Sequence, residues 1–261
     1  MGPTVVDAWA ELHDVTSARI GLARAGASIA TAPSLALRLA HARARDAVHN
    51  ALDVARLAAD LGALGREVVQ VQSQAADRQT YLMRPDLGRA LSPNAAAVLQ
   101  KHKQGYDVTI VLADGLSARA VQEHAPPVLQ HVTTALPRSW RVGPLVIARQ
   151  GRVAIGDAIA EALQAECVAV LIGERPGLSA PDSMGAYLTY RPHGHTTDAD
   201  RNCISNIRPD GIGYADAAFK LTRLLLAMRA RKISGVALKD ERQQFCRGRS
   251  TLPSLGTSAT G

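Results

Sequence analysis

Val168-Ala169-Val170-Leu171-Ile172-Gly173-Glu174-Arg175-Pro176-Gly177 decides how this chain folds. An apolar run with no polar position in it reads as a strand buried on both faces, the signature of a parallel sheet covered by helices. The glycine and charged turn behind it then lie at a carboxyl edge, where such sheets hold ligands. Working outward, Val108-Thr109-Ile110-Val111-Leu112 is a second, β-branched strand, and Asp114-Gly115-Leu116-Ser117 leads from it into a helix through about residue 136. Leu145 to Ala148 is a third strand, followed by Gly151-Arg152-Val153-Ala154-Ile155 and a helix carrying Ile159 and Leu163. Tyr187 to Tyr190 reads as a further strand. The last helix spans about 214–232, with Ala218, Leu221, Leu225 and Met228 on one stripe and Arg229, Arg231 and Lys232 at the end where the helix dipole favours cations. Strands alternating with helices at this spacing predict an α/β fold, a Rossmann-like, mostly parallel sheet flanked by helices.

Residues 16–105 have a different texture, alanine-rich and helical, so a helical N-terminal domain is expected ahead of the sheet. Leu35, Leu39 and Ala42, then Val48, Leu52 and Ala55, fall at helical spacing. Pro33-Ser34 offers a helix start, with Ser34 as cap, and Leu61-Gly62-Ala63-Leu64-Gly65 a break. Tyr81 to Arg89 is expected to be extended and then to turn, because Pro85 drives Arg84 out of the helical region. The division expected is 1–105 helical, 106–241 Rossmann-like, and 242–261 a loose tail rich in Ser, Thr, Gly and Arg.

Composition narrows the function. In 261 residues, 47% are hydrophobic and 20% charged, which suits a folded chain, while aromatics at 3% are too few for a base-stacking surface. The net charge of +7 is spread as single arginines along helices, so no nucleic-acid partner is expected, and a basic solvated face or an acidic partner chain accounts for it. The three cysteines, Cys167, Cys203 and Cys246, form neither a disulfide framework nor a metal pair. No signal peptide or membrane-length apolar stretch is seen, and the sequence reads as folded almost from its first residues; a cytoplasmic location is expected.

Several motifs carry potential chemistry. Asp114 and Ser117 stand where a strand ends, as ligand groups or, for Ser117, as a helix cap. Glu174 and Arg175 are held in a stiff turn; the carboxylate can accept hydrogen bonds from a large polar ligand, or the two can simply pair with neighbours on a surface turn. Cys203, in Arg201-Asn202-Cys203-Ile204-Ser205-Asn206-Ile207, has no nearby histidine to activate it, so it reads as a small group packed on a flat ligand or as an inert buried thiol. His193 and His195 lack further ligands and read as a solvent-facing loop rather than a metal site. Neither G-x-G-x-x-G nor a P-loop is present, against an ordinary dinucleotide enzyme or NTPase. One reading left open is a self-sufficient α/β enzyme using Glu174 or Asp114 as acid or base on a nucleotide-like substrate; another is a structural adaptor without cofactor.

Taken in order, Ala18-Arg19-Ile20-Gly21 with Arg24-Ala25-Gly26, Tyr81-Leu82-Met83-Arg84-Pro85-Asp86-Leu87-Gly88-Arg89, Asp114 to Ser117, Gly151-Arg152-Val153, Gly173 to Leu178, and Asp200 to Ile207 resemble the small subunit family of ethanolamine ammonia-lyase. The resemblance implies a subunit of a carbon–nitrogen lyase that converts ethanolamine to acetaldehyde and ammonia by adenosylcobalamin radical chemistry. It implies a large (β/α)₈ barrel partner, in a multi-copy hetero-oligomer, that holds the substrate and the catalytic residues. Cofactor contacts carry over onto Val153, Glu174 and Cys203; no catalytic residue and no metal ligand is expected on this chain. None of the eight histidines has an aspartate two positions earlier, so the Asp-x-His-x-x-Gly cobalt-ligand motif of other cobalamin proteins is missing, as expected where the cofactor keeps its own base on cobalt. Some relatives carry a longer N-terminal extension linked to packing into a protein-shelled bacterial microcompartment; none is read here, so a cytoplasmic location is expected and encapsulation is left open.

Overall fold

The computed structural model describes residues 9–238. The elements run, in chain order, α1 Ala10–Val15, a two-stranded hairpin of β1 Arg24–Ala25 and β2 Ser28–Ile29, α2 Thr31–His49, α3 Val54–Gly62, β3 Val68–Gln72, α4 Arg78–Met83, α5 Pro93–Gln100, β4 Tyr106–Ala113, α6 Ala118–Ala135, β5 Val142–Arg149, α7 Ile155–Leu163, β6 Ala165–Gly173, β7 Met184–Tyr190, β8 Asn202–Ile207 and α8 Tyr214–Arg231. Six strands form one sheet in the order β3-β5-β4-β6-β7-β8. The first four are parallel, and β7 and β8 extend the sheet antiparallel. The α/β class expected from the apolar runs is therefore observed, with Val168 to Ile172 inside β6, at the sheet's centre.

Two apolar layers sandwich the sheet because strand side chains alternate faces. From β4, Val108, Ile110 and Leu112 join Leu129, Leu221 and Leu225 on the side of α3, α6 and α8. Val111 and Ala113 face the other way, with Ile155, Ile159 and Leu99 from α7 and α5. The turns after β4 and β6 interlock at the carboxyl edge. Gly115 sits at a φ of +56°, and a Cβ there would meet the Gly173 carbonyl oxygen at 2.3 Å; the Leu116 amide donates to that same oxygen at 3.0 Å.

Three local expectations are corrected. Residues 68–72 form the edge strand β3, so the sheet draws one strand from the alanine-rich segment before residue 106. Tyr81 to Met83 is helical, because the Asp77 side chain accepts from the Thr80 amide at 2.7 Å and caps α4; Pro85 affects only Arg84, which ends the helix. Ser34 caps nothing: its amide already donates within α2, which begins at Thr31 without a side-chain cap. Cys246 and the tail expected at 242–261 lie outside the described residues. No helix among those described is long and apolar enough to cross a membrane.

Candidate functional site

Helices cover the sheet unevenly. On one face α6 and α8 together reach β4, β6, β7 and β8; on the other, α5 and α7 pack on β3, β4 and β6. On that second side, register sets Tyr187 of β7 beside Val170 of β6 and Cys203 of β8 beside Tyr187, so all three share a face. Cys203 and Ser205 are exposed there. Among the described residues, α7 packs on β4 and β6 and leaves a strip of β7 and β8 beside it exposed.

Glu174 forms the rim of this strip. It follows β6 directly, and its amide donates to the Ser183 carbonyl at 3.0 Å. Its carboxylate turns back across β7, accepting from the Ser183 hydroxyl at 2.6 Å and from the Asn206 amide at 3.2 and 3.3 Å. Gly185 makes room for that turn: a Cβ there would stand 3.0 Å from Glu174 Oε1 and 3.3 Å from Tyr187 Cε2. A carboxylate has about four lone-pair directions, so these bonds leave Glu174, which is half-buried, acceptor capacity for a ligand.

Tyr187 and Cys203 are cross-strand register partners, and each side chain senses the other. Cys203 is exposed overall, yet partial desolvation, the leading cause, and the nearby Glu174 charge hold its thiol above the ordinary range. The sulfur therefore stays protonated near neutral pH, a small, soft contact group rather than a nucleophile. Burial likewise pushes the Tyr187 phenol up.

Val153 lies in the turn between β5 and α7, half-buried, and packs against the apolar layer under α7, against which Tyr187 also packs. Arg201 fixes α7 relative to β7 and β8: its guanidinium donates to both Asp157 oxygens at 2.7 and 2.6 Å and to the Thr189 hydroxyl at 3.1 Å, almost wholly buried. The structure thus brings Glu174 and Cys203 together around Tyr187, with Val153 bordering the same apolar layer. Cys203 sits on a face of the antiparallel extension and not in the carboxyl-edge crevice that the sequence suggested.

Asp114 is elsewhere and otherwise engaged. It is buried at the end of β4, accepting backbone amides of Gly115 and Gly151 on Oδ1, at 3.1 and 3.0 Å, and of Gln150 on Oδ2 at 2.9 Å. Burial pushes its carboxyl up against the pull of those donors. Its work is to tie the β4 and β5 turns together. Ser117 donates to the Pro181 carbonyl at 3.1 Å instead of capping α6. His193 and His195 lie exposed in a loop with ring centroids 6.2 Å apart. Ser183, Gly185, Tyr187 and Asn206 escaped the sequence reading as site residues; only strand register makes them neighbours of Glu174 and Cys203.

A family model described as ethanolamine ammonia-lyase light chain (EutC) matches residues 6–239. The sequence is 54% identical over 250 residues to the ethanolamine ammonia-lyase small subunit of Xanthomonas campestris pv. campestris (strain B100), covering 94% of this chain and 92% of that one. It is 50% identical over 244 residues to the same-named subunit of Azotobacter vinelandii, covering 92% and 90%. To that of Pseudomonas putida (strain KT2440) it is 49% identical over 244 residues, again covering 92% and 90%.

Proposed function

The chain belongs to the ethanolamine ammonia-lyase light-chain family, and from that premise we propose that it is the small subunit of an adenosylcobalamin-dependent ethanolamine ammonia-lyase, covering one side of the cofactor where it meets a large barrel subunit. The observation that carries this reading is the exposed strip of β7 and β8 beside α7, floored by Tyr187, Cys203 and Ser205 and rimmed by Glu174. Its shape suits a broad flat ligand: small groups on the floor permit close approach, and the rim offers a hydrogen-bond acceptor to polar groups at the ligand's edge. When bound, adenosylcobalamin supplies radical formation by cobalt–carbon homolysis, the chemistry that turns ethanolamine into acetaldehyde and ammonia.

This chain's residues bind and orient. Glu174 accepts from amide or hydroxyl donors at the cofactor periphery, Cys203 packs with its protonated sulfur against the ring, and Val153 adds apolar or backbone contact. None acts as acid, base or nucleophile, and ethanolamine is held by the partner. The competing reading, an autonomous enzyme with Glu174 or Asp114 as acid or base, loses its Asp114 form because three backbone donors already occupy that buried carboxylate.

Reconstitution tests the reading. The purified chain alone should be inactive toward ethanolamine, and the complex with its large partner active only when adenosylcobalamin is added. Turnover by the isolated chain, or a complex whose cobalamin titration is indifferent to Glu174→Ala and to Cys203→Trp together, overturns it.

A further inference from the structure

Tyr81 is fully buried, yet it belongs to neither of the two apolar layers that sandwich the sheet. Its neighbours are instead in the turn from β5 to α7. The Tyr81 hydroxyl donates to the Gly151 carbonyl at 3.3 Å. The Arg152 guanidinium lies 4.1 Å from the centre of the Tyr81 ring and donates to the Tyr81 carbonyl at 3.1 Å. Arg78 steadies the tyrosine in turn: its guanidinium lies 4.7 Å from the same ring centre and donates to the Val48 and Gly115 carbonyls at 2.7 and 2.8 Å.

The backbone of the same turn is gripped as well. The Arg152 amide donates to the Gly88 carbonyl at 2.8 Å. A Cβ on Gly88 would stand 2.8 Å from Arg152 Cγ, 3.1 Å from Tyr81 Cδ2 and 3.2 Å from the Gln150 carbonyl oxygen, so the ring, the arginine stem and the turn converge on the space a glycine leaves. Gly151 is held at both its polar atoms, its amide donating to Asp114 Oδ1 at 3.0 Å and its carbonyl accepting from Tyr81. On the far side, the Arg152 and Val153 carbonyls accept the Ile155 and Gly156 amides at 3.0 and 3.1 Å as α7 begins. Val153 therefore stands between this clamp and the first turn of α7.

Core burial asks for apolar groups; a buried tyrosine with two arginines against it and a hydrogen bond to one turn fixes that turn in a single geometry. We propose that Tyr81 is a positioning residue for cofactor binding: through its bond to Gly151 and its contact with Arg152 it holds the Val153 side chain where that side chain meets the cofactor. The inference rests on the cofactor reading above, with Val153 making its contact through its side chain. Tyr81 itself touches no cofactor atom. The Tyr81 to Arg89 stretch thereby serves the site from behind the β5–α7 turn.

A double-mutant cycle tests it, read by absorbance titration of the reconstituted complex with adenosylcobalamin. Tyr81→Phe keeps the ring against Arg152 and removes the bond to Gly151. It should weaken the apparent cofactor affinity roughly fivefold, the scale of one hydrogen bond, while kcat at saturating cofactor is kept. Gly88→Ala alters no polar group but crowds Arg152 and Tyr81; it should weaken affinity comparably, and it takes the place of Tyr81→Phe in the cycle if that variant fails to fold. A merely structural tyrosine would lower stability without any dependence on Val153. In a Val153→Ala background the Tyr81→Phe effect should shrink to less than about twofold, whereas in a Glu174→Ala background it should persist in full. The inference falls if the folded variant complex binds cofactor as tightly as the unaltered one, if its loss is the same with and without Val153→Ala, or if Val153→Ala alone changes nothing. In each of those cases, weakened binding with Glu174→Ala or Cys203→Trp leaves the cofactor reading standing, and indifference to both removes the two together.

Discussion

Glu174 is positioned by a side chain that is missing. Because Gly185 has no Cβ, the carboxylate can lie across β7 and reach Ser183 and the Asn206 amide. Gly185→Ala should displace Glu174 by a few tenths of an ångström without disturbing the core. We expect unchanged circular dichroism and a several-fold weaker apparent cobalamin affinity of the reconstituted complex, read by absorbance titration; about 1 kcal/mol, one hydrogen bond, sets that scale. Equal affinity would show that the placement of Glu174 does not matter. The cysteines offer a second check. Burial pushes the Cys167 thiol up to about 12, and desolvation and the Glu174 charge raise that of exposed Cys203 above its ordinary 9.0. Both should resist iodoacetamide at pH 7. Of the two, Cys203 should begin to react as the pH climbs above the ordinary thiol range, and Cys167 only on unfolding; mass spectrometry of the labelled peptides distinguishes them. Rapid labelling of Cys203 at pH 7 would contradict its assignment as a protonated contact group.

At the scale of elements, the buried pair Arg201–Asp157 joins α7 to β7 and to the residue that opens β8. Burial works against the Arg201 charge, but the Asp157 bonds outweigh it and raise its pKa. Asp157→Ala would leave a buried guanidinium without its carboxylate, at a cost of about 3–5 kcal/mol. Urea denaturation should show that loss, and a cost under about 1 kcal/mol would mean the pair is not the tie between these elements. Helix α2 gives a contrasting expectation. Its sequence shows the stripe Leu35, Leu39 and Ala42, yet Leu35 and Leu39 are 58% and 52% exposed, and the helix turns Ala40 and Ala47 inward instead. Periodicity reveals that a helix has an apolar stripe, but a helix with two leaves the inward one undecided. Leu35→Lys or Leu39→Lys should each change stability by no more than about 0.5 kcal/mol. Leu57→Ala, fully buried in α3, should cost about 2–5. Parity between these substitutions in a chemical melt would reverse the assignment of faces.

For the whole molecule, legibility followed the range of the interactions. Val168 to Ile172 and Val108 to Leu112 announced the sheet because burial on both faces is written into consecutive residues. Val68 to Gln72 hid because its alternation is short and sits among alanine-rich helices, although Val69 and Val71 point inward as a half-buried strand requires. The candidate site was legible as separate points: Glu174 from its turn, Cys203 as a small group on a flat ligand or an inert thiol, and Val153 only through resemblance. Tyr187 was invisible because its partner stands 16 positions away, and antiparallel register, which no local pattern encodes, brings them together. The same long-range logic closes the opposite end of the sheet. Arg229 of α8 bonds Glu166 at 2.8 Å and Asp107 at 2.7 Å and stacks on Trp140 at 4.6 Å, while the Tyr190 hydroxyl donates to Glu166 at 2.9 Å. Desolvation opposes the Glu166 charge, but the bonds from Arg229 and Tyr190 prevail and hold its pKa below the ordinary 4.5. Glu166 thus binds its proton less tightly folded than unfolded, so its contribution is fully present above about pH 4.5 and is lost as the pH falls through the lower folded value. Urea midpoints measured from about pH 6 down to 3 should decline in the unaltered chain and decline less steeply in Glu166→Gln, the two curves converging at the acid end. Parallel curves would show that this cluster takes no part in holding β4, β6, β7 and α8 together.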